Sequence, residues 1–200
     1  MNALSNQTEQ IFTYLSQGGL VMVPLIFCSF VMWTLILDRV LFFSRLEKKD
    51  IELHTLVRIM EKGNLPGKVR GMRANLVRHL MANRTRNTAV DKGIVDQCAM
   101  AMRPYLEQYL AAIAVLAAVS PLFGLLGTVT GMITTFDVIT LFGTGNAKAM
   151  AGGISEALVT TQSGLVVSIP GFFMSVLLYK QSARAKSRLT EAVSILKRSL

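Results

Sequence analysis

Hydroxyl side chains at helical spacing inside two otherwise apolar stretches define the chemistry open to this 200-residue chain. Thr128 and Thr135 stand seven residues apart, and so do Thr161 and Ser168. Thr134, Thr160, Ser163 and the amide Gln162 lie beside them. A hydroxyl donates to carbonyls, holds water or hydrogen-bonds a carboxylate, but it does not exchange protons at ordinary pH. Between Ala114 and Thr135, and between Ala157 and Tyr179, there is no Asp, Glu, His, Lys or Arg. Proton relays across membranes rely on ionisable side chains facing a cavity. If ions move along these hydroxyls, another chain must supply the titrating group.

The elements that carry them are membrane-length helices. Ala114, Ala117, Pro121, Gly124, Thr128, Gly131 and Thr135 recur at spacings of three and four, and Ala157, Thr161, Gly164, Ser168, Gly171 and Ser175 repeat the pattern. At ~1.5 Å rise per residue each stripe runs about 27–32 Å, the thickness of a bilayer's hydrocarbon core. Such stripes have two readings. They let helix backbones pack closely, or they wall a path that holds water or a partner helix. Pro121 and Pro170 remove backbone donors and leave carbonyls that need partners in lipid.

Composition agrees with a membrane class. The chain is 52% hydrophobic with mean hydropathy +0.46, too apolar for an ordinary soluble domain. Hydropathy marks three spans, at 20–43, 106–140 with a cytoplasmic extension, and 154–179. The first resembles a secretory signal only superficially: Met1–Gly19 carries no Lys or Arg, and no small-residue cleavage site follows. It reads as an uncleaved anchor. Of the 21 basic residues, 14 lie from Arg39 to Arg103 and six follow Tyr179, leaving only Lys148. The positive-inside rule then places 44–105 and the helical tail 180–200 in the cytoplasm, with 1–19 and the loop 141–153 outside. The net charge of +9 therefore sets topology and favours contact with anionic lipid heads, not nucleic acid. The expected fold is all-α: an integral membrane protein with three transmembrane helices, its N-terminus outside, and helices extended into the cytoplasm.

Within 44–105, helices are expected around Leu46–Glu61, Val69–Asn83 and Asp91–Met102, broken at Gly63-Asn64-Leu65-Pro66-Gly67, with Asn87-Thr88 opening the last. Enzyme chemistry finds no footing. His54 and His79 lack ligand-spaced companions, so no metal site is expected, and no phosphate loop, nucleophile elbow or cofactor motif occurs. Cys28 and Cys98 fall in an apolar and a charged segment, which disfavours a disulfide.

Charges at the span ends are more informative. Asp38, Arg39 and Arg45 close the first span and read as an anchor at the inner interface. Glu156 opens the third span, where it serves as a helix-start carboxylate, an entrance charge for a cation path or an inter-subunit partner.

Two long motifs carry a family resemblance. SPLFGLLGTVTGMITTF (Ser120–Phe136) and GGISEALVTTQSGLVVSIPGFF (Gly152–Phe173) resemble the second- and third-span signatures of the MotA/TolQ/ExbB proton-channel family. The first span, Gly18–Phe43 with its acidic–Arg pair, is similar too. The resemblance implies a bacterial inner-membrane stator, with a homo-pentamer surrounding single-span ExbD- or TolR-like subunits that supply the proton-carrying aspartate. It implies coupling to a TonB-like or TolA-like transducer, with the ExbB branch ahead of TolQ. By motif, Thr128 and Thr161 face that aspartate, and Thr135, Ser168, Gly124, Gly131 and Gly164 line the same channel. Glu156 marks the outer mouth, and Pro121 and Pro170 shape the helices. Gln162 and Ser120 depart from the family pattern, and the cytoplasmic insert is short for it. The competing reading is a passive scaffold that uses the same packing and conducts nothing.

Overall fold

A computed structural model describes residues 17–48, 71–85 and 87–200, and every regular element among them is helical. In chain order they are α1 (Met22–Lys48), α2 (Met72–Ala82), α3 (Thr88–Glu107), α4 (Leu110–Phe142), a single 3₁₀ turn at Gly143–Gly145, and α5 (Ala147–Ser199). Three helical stretches are long and apolar enough to cross a membrane, within Met22–Leu46, Thr88–Gly145 and Ala147–Ser199. Of the helix expected over Leu46–Glu61, Leu46–Lys48 belong to α1 and the rest lies outside the described residues, as do the break at 63–67 and nearly all of the N-terminal segment. The helices outrun the expected spans. Residues 141–153, read as a loop, contribute helical turns at both sides and leave only 143–146 as connection.

The described chain forms two compact units. The first holds the chain through Ile36 together with Ala112–Ser175. Its α4 and α5 pack so closely that side chains larger than hydrogen do not fit along the seam. A methyl built on Gly124 would lie 3.1 Å from Thr161 Cα, one on Gly131 only 2.6 Å from Gly153 O, and one on Gly164 only 2.9 Å from Ser120 O. α1 joins through Met32, whose Cε would stand 2.6 Å from a methyl on Gly171. Farther along α1, Met22 and Leu25 form a buried cluster with Val159 of α5, with Phe123 packed against them. The opposite faces are apolar and uncovered: Phe27, Phe30, Leu122, Leu125, Ile169 and Phe172 are all exposed. A soluble monomer rarely shows such a surface. In hydrocarbon it carries no penalty, and association there proceeds through small-residue contacts.

The second unit holds Leu37–Ala111 and Val176–Leu200. Its core is built from Leu76, Val77 and Leu80 of α2, Val95 and Ala99 of α3, and Leu178, Leu189 and Leu196 of α5. Asn87 starts α3 by accepting a hydrogen bond from Ala89 N–H at 3.1 Å. Asp91 in the first turn is buried and accepts from both the backbone N–H and the hydroxyl of Thr85, at 2.8 and 2.9 Å. The tail of α5 is tied to α3 by Lys197–Asp96 at 2.6 Å and by Lys186–Glu107. These partly exposed pairs add little stability; the buried leucines supply most of it.

The glycines separate into opposite classes, and one substitution type tests this. Gly93 lies inside α3 with nothing within 4 Å of an added methyl. Gly93→Ala is expected to raise stability by about 0.5–1 kcal/mol. Gly131→Ala is expected to lower it by about 1–3 kcal/mol, because backbone atoms of α5 occupy the space. Thermal unfolding of the purified protein in detergent reads both signs.

Candidate functional site

The hydroxyls of Thr128, Thr135, Thr161 and Ser168 are committed to backbone carbonyls. Thr161 Oγ1 lies 3.1 Å from Ala157 O on its own helix and 3.2 Å from Gly124 O on α4. Thr128 Oγ1 donates to Leu125 O at 2.6 Å, and Thr135 Oγ1 to Gly131 O at 2.9 Å. Thr135 is 3% exposed and sits in the seam with Gly124, Gly131 and Gly164, whereas Thr128 and Thr161 are partly open. Each hydroxyl retains lone pairs that can accept from water or from a protonated carboxyl.

Ser168 has a role that its motif position does not reveal. Pro121 lacks the N–H that would bond Ala117 O four residues earlier in α4. Ser168 Oγ, from α5, donates to that same Ala117 O at 2.8 Å. One helix thus caps a carbonyl that proline frees in the other. Without water in the surroundings, an orphaned carbonyl costs several kcal/mol, so the pair also registers the two helices. Pro121 announces an unpaired carbonyl in the sequence, but only the fold shows which serine meets it. α5 continues as helix through Pro170.

At the turn between α4 and α5, helix capping belongs to Asn146, whose Oδ1 accepts from Ala149 N–H at 3.1 Å. Glu156 does not serve as the helix-start residue, because α5 begins at Ala147, more than two turns earlier. The Glu156 side chain is half-buried and packs against Gly19, which has φ +61°. Asp137 is exposed near the end of α4.

In the second unit, Arg39 is buried rather than displayed at the surface. It is only 5% exposed and is sandwiched between the rings of Phe42 and Tyr109, each with its centroid 4.9 Å from the guanidinium carbon. Its Nη1 donates to Tyr105 O at 3.1 Å, its Nη2 to Gln108 Oε1 at 3.5 Å, and its Nε to Asp38 Oδ2 at 3.1 Å. Between α3 and α4 the backbone breaks at Gln108 and Tyr109, the latter at φ +63°. A break there frees the preceding carbonyls. Arg39 takes Tyr105 O, and Ser182 Oγ takes Leu106 O at 2.8 Å. No pattern in the sequence pointed to Ser182. Asp38 and Arg45 stay exposed and line a cavity of about 680 Å³ with Asn75, Met102 and Tyr105.

Two substitution sets probe these caps. Ser168→Ala is expected to cost about 1–3 kcal/mol, and Pro121→Ala in the same chain to recover part of that loss by restoring an N–H to Ala117 O. Equal losses in the single and double variants would remove the capping account. Arg39→Lys keeps the charge but loses the planar fork, and is expected to lower thermal stability by about 1–3 kcal/mol.

Comparison with known proteins places the sequence in a family. The sequence profile of the MotA/TolQ/ExbB proton channel family matches residues 68–191. An ExbB-like biopolymer transport protein of Synechocystis sp. is 32% identical over 161 residues, covering 76% of this chain and 77% of the relative. A second from the same organism is 31% identical over 176 residues, covering 82% and 68%. The biopolymer transport protein ExbB of Salmonella typhimurium is 28% identical over 192 residues, covering 87% and 78%. The match spans α2, α3, α4 and most of α5, and so includes both helices that carry the hydroxyl seam. With apolar helices of spanning length and a profile match over more than half its residues, this chain belongs to the MotA/TolQ/ExbB proton channel family.

Proposed function

We propose that this chain is the stator subunit of a proton-driven motor in the bacterial inner membrane. In this reading it couples proton motive force to a TonB-type energy transducer for outer-membrane import. The observation that carries the reading is a pair of closely packed spanning helices with hydroxyls along one face and no titrating group between Ala157 and Tyr179 or between Ala114 and Thr135. Such a wall can solvate a proton carrier but cannot be one. An ExbD- or TolR-like single-span partner bearing an aspartate completes it. Membership of the proton channel family and the similarity to ExbB proteins support the assignment.

In the proposed arrangement five copies ring the partner helices, with the N-terminus and the 143–146 turn outside and residues 44–105 and 180–200 in the cytoplasm. Thr128 and Thr161, partly open, offer oxygen to the partner's carboxyl as it protonates. Thr135, Ser168, Gly124, Gly131 and Gly164 set the spacing of the wall, and Pro121 and Pro170 shape its helices. Glu156 is the acid of the outer mouth, Asp38 and Arg45 hold the inner end at the lipid interface, and the buried Arg39 closes the α3–α4 break beside them. Each proton delivers ~2.3 kcal/mol per 100 mV of membrane potential, which is the energy available for moving the partner. A TolQ-type role in envelope maintenance uses the same chemistry with a TolA-like transducer. The rival from another class is a passive scaffold, favoured by the seam hydroxyls already being satisfied within the chain.

Proton flux through the complex with its single-span partner, reconstituted in vesicles, separates these readings. Thr161→Val keeps the volume and deletes the hydroxyl; flux is expected to fall about tenfold, the equivalent of one lost hydrogen bond near 1.4 kcal/mol, with the complex still assembled. Thr161→Ser is expected to retain most of it. Undiminished flux in Thr161→Val removes Thr161 from the path, and flux without the partner contradicts the two-component mechanism. A wild-type complex that assembles and conducts nothing establishes the scaffold.

A further inference from the structure

We propose that Gly19 is a positioning residue for Glu156, the seat that holds its carboxylate against the start of α1; the functional part of this inference rests on the channel reading above. Gly19 precedes α1 in a turn whose carbonyls at Gly19 and Leu20 accept from Met22 N–H and Val23 N–H, each at 3.3 Å. Its φ of +61° lies in the left-handed region that side chains rarely adopt. The conformation is only half of the requirement. A methyl built on Gly19 would overlap the Glu156 carboxylate, standing 2.6 Å from Cδ and 3.3 Å from Cγ with Oε1 nearer still. All three of its nearest neighbours are Glu156 side-chain atoms. The volume where any other residue keeps its Cβ is therefore filled by this one acid.

Gly143 provides the internal contrast. It has nearly the same backbone, φ +65°, yet nothing lies within 4 Å of an added methyl. Gly143 needs glycine for its turn alone, whereas Gly19 needs it for the turn and for the carboxylate. The collision at Gly19 has one way to resolve. The Glu156 backbone is embedded in α5, where its carbonyl accepts from Thr160 Oγ1 at 3.0 Å, so the flexible side chain moves and the helix stays. Enlarging Gly19 thus displaces the charge without dismantling the fold. The other charged residues among the described part of this unit, Asp137 and Lys148, are exposed, and neither forms an ion pair with Glu156. The seat is therefore steric, and it fixes where at the outer end the acid stands.

The test compares Gly19→Ala with Gly143→Ala in the full complex with its partner, in membranes. Carbodiimide modification of Glu156, read by mass spectrometry, is expected to rise severalfold in Gly19→Ala and to stay at the wild-type level in Gly143→Ala. Gly19→Cys with Glu156→Cys is expected to cross-link within one chain on mild oxidation. Proton flux is expected to fall severalfold in Gly19→Ala, with its pH midpoint displaced, and to persist in Gly143→Ala. Equal labelling in the two alanine variants, or no cross-link, overturns the seat. Unchanged flux and midpoint in Gly19→Ala overturn its functional role. A wild-type complex without flux but with the expected labelling and cross-link overturns the channel reading and leaves the seat standing.

Discussion

Backbone carbonyls that water cannot reach impose the constraint on which this protein's membrane part depends. In hydrocarbon every donor and acceptor needs a partner within the protein, and two helices that share partners must approach almost to backbone contact. Glycine makes the approach possible at positions 124, 131 and 164, where a single methyl would meet the facing helix at or below about 3 Å. Hydroxyls then use the proximity. Thr161 reaches Gly124 O, and Ser168 reaches the Ala117 carbonyl that Pro121 leaves open. Remove the close approach and both bonds lengthen beyond use; remove the hydroxyls and the proline becomes a liability.

The same accounting of carbonyls governs the second unit, with different chemistry. The break at Gln108 and Tyr109 frees acceptors at the end of α3, and they are met by a guanidinium from α1 and a hydroxyl from α5. A buried arginine is costly unless its donors and its charge are matched. Here the match comes from Tyr105 O, Gln108, Asp38 and two aromatic faces. Three helices distant in sequence converge on one interruption, which explains why a positive-φ tyrosine is held in place there.

Function follows from what such a wall can and cannot do. Hydroxyls satisfied along their own helices present residual acceptor capacity to whatever stands beside them, and they do so without carrying charge. In the function we propose, a carboxylic acid brought by a partner helix would find there a polar but non-ionic surface, compatible with neutralisation inside the membrane. The carboxylates of the first unit among the described residues, Asp137 and Glu156, lie toward the ends of α4 and α5 that meet at the 143–146 turn, away from that interior. Gly19, just before α1, leaves the space that the Glu156 carboxylate fills.

Much of this was legible from residues alone. Long runs without charge announced three spanning helices, because burying a charge in lipid is expensive wherever it occurs in the chain. Small residues at spacings of three and four marked which faces of α4 and α5 pack closely, since that periodicity is a property of one helix. The missing interior acid was visible for the same reason. Pairings between helices were not. Nothing local to Ser168 says that it answers Pro121, nothing local to Ser182 says that it answers Leu106, and Arg39 looked like an interface anchor because its partners lie some 70 residues away. Glu156 looked like a helix start because hydropathy marks where lipid begins, whereas the backbone keeps its helix for as long as its bonds allow. The sequence by itself determined the helices, their membrane length and their chemistry, all of which are summed over neighbours in the chain. Which carbonyl each hydroxyl caps, and which glycine leaves room for which acid, was decided by tertiary structure, because those distances exist only once separate helices stand side by side.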